Sequence, residues 1–183
     1  VAPPKTIGPR EVHAAIERLA AAIRGRHPKT EDLLVLGIAN GGIPLARRIC
    51  AMLGIRRVGD LDISFHRDDI GKHPIPKEFT PTLLPGDVNG ATVLLVDDVL
   101  FSGRTVKAAL DELFDHGRPA TVELAVLVDR RRRRLPIVAD FAGTTLEAGD
   151  DEDVLVCLDD DPSRDTIHIR ARAPRDRRAV PTR

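Results

Sequence analysis

The sequence predicts a mainly parallel α/β sheet with flanking helices and a small β-rich C-terminal appendage. Two observations carry that expectation. Between Pro9 and Val128, short apolar runs alternate with segments of helical period, the pattern that builds parallel sheets. Beyond Leu135 the helical period disappears and only short strand-like pieces remain. At 183 residues and 42% hydrophobic content, the chain is the size of one ordinary domain that closes a core without disulfides or metals. Residues 1–173 are therefore expected to form one domain, and residues 174–183, basic and without period, a disordered tail.

Each element has its own signal. Pro9 at a first helical position, followed by Val12, Ile16, Leu19 and Ile23 on one face, predicts a helix from Pro9 to Arg24. Leu33 to Ile38 is too short for a helix and reads as a buried strand. Ile43 to Leu53 places Leu45, Ile49 and Met52 or Leu53 on one face, with Gly54 just beyond as a C-cap. Asp60 to His66 alternates, with Leu61, Ile63 and Phe65 inward, as a half-buried strand does. From Asp68 to Gly90 no period survives and Pro74, Pro76, Pro81 and Pro85 intervene, which predicts a mobile loop or lid. Ala91 to Val96 is a strand, Thr105 to Phe114 a helix closed by Gly117, and Thr121 to Val128 another strand. The appendage is read from Val138 to Phe141, Val154 to Leu158 and Thr166 to Ala171.

Composition excludes several classes. No window has the unbroken apolar length of a membrane span, and Val1 to Arg10 has no signal-peptide pattern, so a cytoplasmic location without membrane partners is expected. Cys50 and Cys157 lie in apolar stretches away from metal-ligand partners and read as buried reduced thiols. Lys plus Arg and Asp plus Glu both number 28, so no global field attracts nucleic acid. With five Phe and no Trp or Tyr, a base-stacking RNA module is disfavoured.

The chemistry concentrates in VLLVDDVLFSGRTV, Val93 to Val106. Asp97 and Asp98 fall at the carboxyl end of a predicted strand, where open α/β sheets bind ligands. Ser102, Gly103, Arg104 and Thr105 follow as a small-residue turn at a helix N-terminus, a ready site for a phosphate dianion. The hydroxyls of Ser102 and Thr105 add donors, Gly103 permits close backbone approach, and Arg104 adds charge or closes the turn. A generic helix cap needs only one acid or hydroxyl. Walker A and GxGxxG patterns are absent, which disfavours nucleotide hydrolysis and a dinucleotide fold. No Ser-His-Asp or Cys-His arrangement suggests a covalent nucleophile.

This segment resembles the 5-phosphoribosyl pyrophosphate (PRPP) signature of type I phosphoribosyltransferases, and so implies their fold. The resemblance implies that Asp97 and Asp98 bind the ribose hydroxyls, and that Val99, Leu100, Phe101, Ser102, Gly103, Arg104 and Thr105 complete the PRPP site. Together with LGIANGGIPLARRI, DLDISFHRDD and ELAVLVDRRRRRLPIVADF, it is similar to one branch, the pyrimidine-operon attenuator and uracil phosphoribosyltransferase family PyrR. The resemblance implies a pyrophosphate loop at Ala39, Asn40, Gly41 and Gly42, without the Arg usual in that turn, whose place Arg67 could take. Asp68 and Asp69 read either as part of the family block or as a solvated strand end. It further implies a uracil pocket at Val128, Asp129 and Arg130, with Val154 by looser alignment, and Mg²⁺ held mainly through substrate oxygens. Asp97, Asp98 and Arg67 are the implied catalytic residues.

The implied partners are PRPP, uracil, UMP or UTP, and a second copy of the chain in a homodimer or higher assembly. Two alternatives stay open: a purine phosphoribosyltransferase of the same fold, and an RNA-binding attenuator with little catalysis. Arg131, Arg132, Arg133 and Arg134 form with Arg130 a basic run suited to leader-RNA phosphates. Glu17 and Ala21, where RNA-binding relatives carry a hydroxyl and a His, argue the other way.

Overall fold

The computed structural model describes residues 5–64, 66 and 81–172. The chain begins with β1 (Lys5–Ile7) and α1 (Pro9–Arg26), followed by β2 (Leu33–Ile38), α2 (Gly42–Leu53) and β3 (Val58–Leu61). β4 (Thr92–Leu100), α3 (Arg104–Asp115), β5 (Thr121–Asp129) and β6 (Phe141–Thr145) come next. β7 (Glu152–Cys157) and β8 (Thr166–Ala171) complete it. Five strands make a parallel sheet in the order β3-β2-β4-β5-β6, and β1, β8 and β7 make a small antiparallel sheet.

Strand alternation divides the core in two. On β2, β4 and β5, the side chains of Leu33, Val35, Leu94, Val96, Ala125 and Leu127 join the apolar faces of α1 and α2. Their neighbours Leu34, Leu36, Val93, Leu95, Leu124 and Val126 pack with Val106, Ala109 and Leu113 of α3 on the opposite face. Pro9 stands in the first turn of α1, and Val12, Ile16, Leu19 and Ile23 are wholly buried, as the spacing predicts. The small sheet contributes Val154, Ile167 and Ile169 to the α1 and α2 side.

Several boundaries differ from expectation. The strand read at Asp60 to His66 is Val58–Leu61, because its register is set by Val35 to Ile38 of β2. Leu61 and Ile63 are buried as predicted, whereas Phe65 lies outside the described residues. Asp60 is buried too, with its carboxylate 2.9 Å from Arg47 Nη2. The strand ending at Val96 in the apolar reading continues to Leu100, since β5 goes on pairing with it after β2 has ended. α3 ends at His116 as its cap, one residue before Gly117.

The appendage has three strands, but not the three predicted. Phe141–Thr145 is the fifth strand of the main sheet, paired with Ala125 to Asp129, and β1 from the N-terminus takes the third place beside β8. Cys50 is buried, and burial pushes its thiol pKa up to about 12. Cys157 is exposed, contrary to the expectation, because it ends edge strand β7. Of the predicted lid, residues 68–80 lie outside the described residues, as does the tail at 174–183. Residues 81–90 are packed: Leu83 exchanges backbone hydrogen bonds with Asp60 at 2.8 and 3.1 Å, and Val88 is buried.

A buried ion pair fastens the small sheet to the α/β body. Asp165, with no exposed surface, accepts from both terminal nitrogens of Arg48 on α2 and from the Asp159 backbone N–H at 2.9 Å. Replacing Asp165 with Ala strands that guanidinium in a mostly buried place, at a cost of about 3 kcal/mol. Urea unfolding of Asp165→Ala is expected to show that loss, and a change below about 1 kcal/mol would reduce the pair to a surface contact.

Candidate active site

Topology creates a crevice before any side chain is considered. From β2 the chain moves outward to β3 in one direction, and β4 then lies on the other side of β2. The loops leaving the carboxyl ends of β2 and β4 therefore diverge, on to α2 and α3 on opposite faces. Such a switch point is where open α/β sheets take ligands. The residues singled out in the sequence as Ala39–Gly42 and Asp97–Thr105 are these two loops.

The two loops touch. Pairing of β4 with β2 stops at Val96, leaving that edge of β4 open, and Gly41 and Gly42 pack into the opening. A Cβ on Gly42 would lie 2.1 Å from the Val96 carbonyl oxygen, and one on Gly41 2.3 Å from an Asp98 carboxylate oxygen. No side chain fits at Gly42, and one at Gly41 would have to displace the Asp98 carboxylate. The Ala39–Asn40 peptide immediately before them is cis.

Asp97 and Asp98 are consecutive near the carboxyl end of β4, with carboxyls close enough to act on each other. Asp97 is buried, and Asp98 is half-buried with its backbone N–H donating to Asp97 Oδ1 at 3.0 Å. Burial holds the Asp97 carboxyl well above the usual carboxylate range, and the charge of Asp98 beside it pushes the same way. Burial also raises Asp98. Once ionised, the two carboxylates offer hard oxygen acceptors to hydroxyl donors or to a nearby divalent cation such as Mg²⁺.

The turn after β4 is built for an anion. Gly103 has φ +88°, a left-handed conformation that side chains resist, and as the cap residue of α3 it brings no side chain of its own to the helix amides. The first turn of α3 carries no acid, and the Arg104 N–H is 3.3 Å from Ser102 Oγ. Thr105 and Arg104 are exposed at the opening, while Val106 anchors the helix in the core. Val99 and Leu100 remain in the ladder with Val128 and Asp129.

The segment expected to hold the base lies against that turn. Arg130 N–H donates to the Leu100 carbonyl at 3.0 Å, and the N–H groups of Arg134 and Leu135 both reach the Ser102 carbonyl at 3.1 Å. The Arg130 guanidinium is buried, 4.0 Å from the Phe101 ring centroid, and donates to the carbonyls of Gly149 and Glu152. It is a wall of the site. Burial and the charge of Arg172 lower its pKa, and the carboxylates of Asp153, Asp150 and Glu152 act against that shift. Val128 and Val154 are buried in one apolar cluster, so only their backbone groups are available to a ligand. Val154 belongs to edge strand β7, which packs against β4.

The arginine run is not uniform. Arg133 binds buried Asp129 at 2.5 Å, and Asp129 also accepts from the Arg131 N–H at 2.7 Å. Arg131, Arg132 and Arg134 are exposed beside the phosphate-type turn. Arg67, Asp68 and Asp69 lie outside the described residues. Sequence reasoning missed Arg172, which binds Asp153 at 2.7 Å and lies 5.7 Å from the Phe101 ring. Nothing local signals it, because β8 must first pair with β7 to bring it there.

The comparisons agree with this geometry. The family model described as "Phosphoribosyl transferase domain" matches residues 8–160. "Bifunctional protein PyrR" of Streptomyces coelicolor is 45% identical over 168 residues, covering 88% of this chain and 86% of its own. Its counterpart in Chloroflexus aurantiacus is 46% identical over 165 residues, covering 87% and 90%. Among solved structures, the purine phosphoribosyltransferase from Pyrococcus horikoshii is similar at TM-score 0.58 and 26% identity, over 75% of this chain and 84% of that one. The hypoxanthine phosphoribosyltransferase of Trypanosoma cruzi shares the fold at TM-score 0.62 and 20% identity, over 90% and 94%. With a switch-point crevice, a buried acid pair, an anion turn and these relatives, the chain belongs to the phosphoribosyl transferase domain family and, within it, to the PyrR family.

Proposed function

We propose that the protein transfers the ribose 5-phosphate of PRPP to N1 of uracil, giving UMP and pyrophosphate. One observation supports this above the rest: Gly41 presses its backbone against the Asp98 carboxylate at the foot of the Gly103 turn. An acid pair, a helix N-terminus and a glycine loop in one crevice suit the three parts of PRPP. In this reading Asp97 and Asp98 accept from the ribose hydroxyls, Ser102 to Thr105 hold the 5′-phosphate, and Ala39 to Gly42 present amides to pyrophosphate. Uracil lies against Val128 to Arg130, read by backbone groups, with Arg130 fixing the wall through Phe101. Membership of the PyrR family favours uracil over a purine, since the purine-acting neighbours are similar at 26% identity or less.

The transition state gathers positive charge on the ribose ring as the bond from C1 to pyrophosphate breaks. In this reading the carboxylates of Asp97 and Asp98 stabilise that charge, and the amides around Gly41 and Gly42 stabilise the departing oxygen. Mg²⁺, held mainly by the substrate beside Asp97 and Asp98, would supply further neutralisation of the leaving-group charge. A cytoplasmic location and a homodimer or higher assembly complete the proposal. Among the described residues no helix is long and apolar enough to cross a membrane.

Asp98→Asn preserves shape and removes charge, and is expected to lower uracil turnover about 100-fold or more. Product analysis over uracil, hypoxanthine, guanine, adenine and xanthine with PRPP and Mg²⁺ checks both claims. Wild-type turnover in the variant, or turnover only with a purine, would contradict the assignment.

The exposed Arg131, Arg132 and Arg134 favour a second activity, nucleotide-responsive binding to the leader RNA of a pyrimidine operon. Arg133 is left out of that surface by its bond to Asp129, and Glu17 is paired with His13 at 3.2 Å on the first helix. Replacing Arg132 and Arg134 with Gln should weaken RNA binding and reduce the salt slope by about 2, with uracil turnover retained. Equal binding to an unrelated RNA of the same length, unaffected by UMP or UTP, would leave catalysis alone.

A further inference from the structure

We propose that His66, Glu112 and Asp115 form a site for a borderline divalent transition cation of the Zn²⁺ class, beside the anion turn, where His66 lines one cavity with Arg104. Glu112 and Asp115 are one turn apart on α3 and share a face. His66 comes from the turn after β3, where the Asp62 carboxylate accepts from the Ser64 N–H at 2.9 Å and the His66 N–H donates to the Ile63 carbonyl at 3.0 Å. His66 Nε2 is 3.1 Å from Glu112 Oε2 and 3.3 Å from Asp115 Oδ2, and one donor atom from each residue lies within 4.8 Å of the others.

These separations suit a shared ion. Bonds of about 2.0–2.1 Å at tetrahedral angles put neighbouring donor atoms roughly 3.3 Å apart. A single imidazole nitrogen carries at most one proton, directed one way, yet here it faces two carboxylate oxygens at nearly equal distance. A cation among the three satisfies all of them at once. The other oxygen of Glu112 is independently held: Thr82 Oγ1 donates to Oε1 at 2.7 Å, and His116 Nε2 lies 3.0 Å from the same atom. That leaves Oε2 aimed at His66, the outer support that metal-binding carboxylates usually have. One imidazole with two carboxylates favours Zn²⁺, Co²⁺ or Ni²⁺ over Mg²⁺ or Ca²⁺, which prefer oxygen alone. Asp115 faces solvent, so the ion has a route in and a position for water.

The consequence is a clamp between the turn after β3 and α3, the helix whose first turn opens the anion site. Tag-free full-length protein, stripped with a chelator, should bind one equivalent of Zn²⁺ with micromolar or tighter affinity, and Co²⁺ in its place should give the visible absorption of a tetrahedral site. His66→Ala should abolish both signals. Asp115→Asn, at an exposed position, should weaken binding at least 10-fold without loss of fold, and His116→Ala about 10-fold through Glu112. His27→Ala, at a histidine paired with Glu123 elsewhere, should change nothing. Failure of Zn²⁺ to bind, or binding unaffected by both His66→Ala and Asp115→Asn, would overturn the proposal and leave these residues an ion pair.

Discussion

The contact on which the site depends is between backbone and carboxylate: Gly41 and Gly42 seated against β4 at Val96 to Asp98. It exists because β2 ends its pairing at Val96 while β5 carries β4 three residues beyond Asp97, to Leu100. The open edge is filled by Gly41 and Gly42, and Asp97 beside it is buried. Folding does not favour that state electrostatically. Because both carboxyls are raised, the folded chain holds their protons more tightly than the unfolded chain. Stability therefore falls as pH rises from the ordinary carboxylate range through the raised values. A binding site commonly retains a destabilising feature of this kind where a ligand relieves it.

The second layer of the site is held by arginines that look, in sequence, like a surface. Arg130 joins Phe101 to the carbonyls of Gly149 and Glu152, and Arg133 neutralises Asp129. The amides of Arg134 and Leu135 close over the Ser102 carbonyl. The run thus performs two jobs, with buried members building the wall next to the base segment and Arg131, Arg132 and Arg134 facing solvent.

Much of this was legible in sequence because local rules decided it. Proline at the first turn of α1 and apolar runs in β2, β4 and β5 need no tertiary information to be read. Asp97, Asp98 and Gly103 announced the site because their chemistry is confined to one short segment. The misreadings share a cause, which is pairing with distant partners. β1 is three residues long and becomes a strand only beside β8, and Phe141–Thr145 is drawn into the main sheet by β5. Cys157 is exposed because β7 is an edge, and the different fates of Arg132 and Arg133 depend on Asp129. His66, Glu112 and Asp115 were invisible as a set, since they meet only when the turn after β3 packs beside α3.

If the raised Asp97 carboxyl must ionise to accept the ribose hydroxyls, PRPP binding should carry its titration. The direct measurement is the PRPP dissociation constant, with Mg²⁺ present, as a function of pH for the wild type and Asp97→Asn. The difference between the two cancels the ionisation of PRPP itself. Wild-type affinity should fall more steeply than that of the variant as pH drops through the raised value of Asp97, with protons released on binding in that range. Parallel curves, with the same proton release in both proteins, would contradict the assignment of the buried acid pair to the ribose.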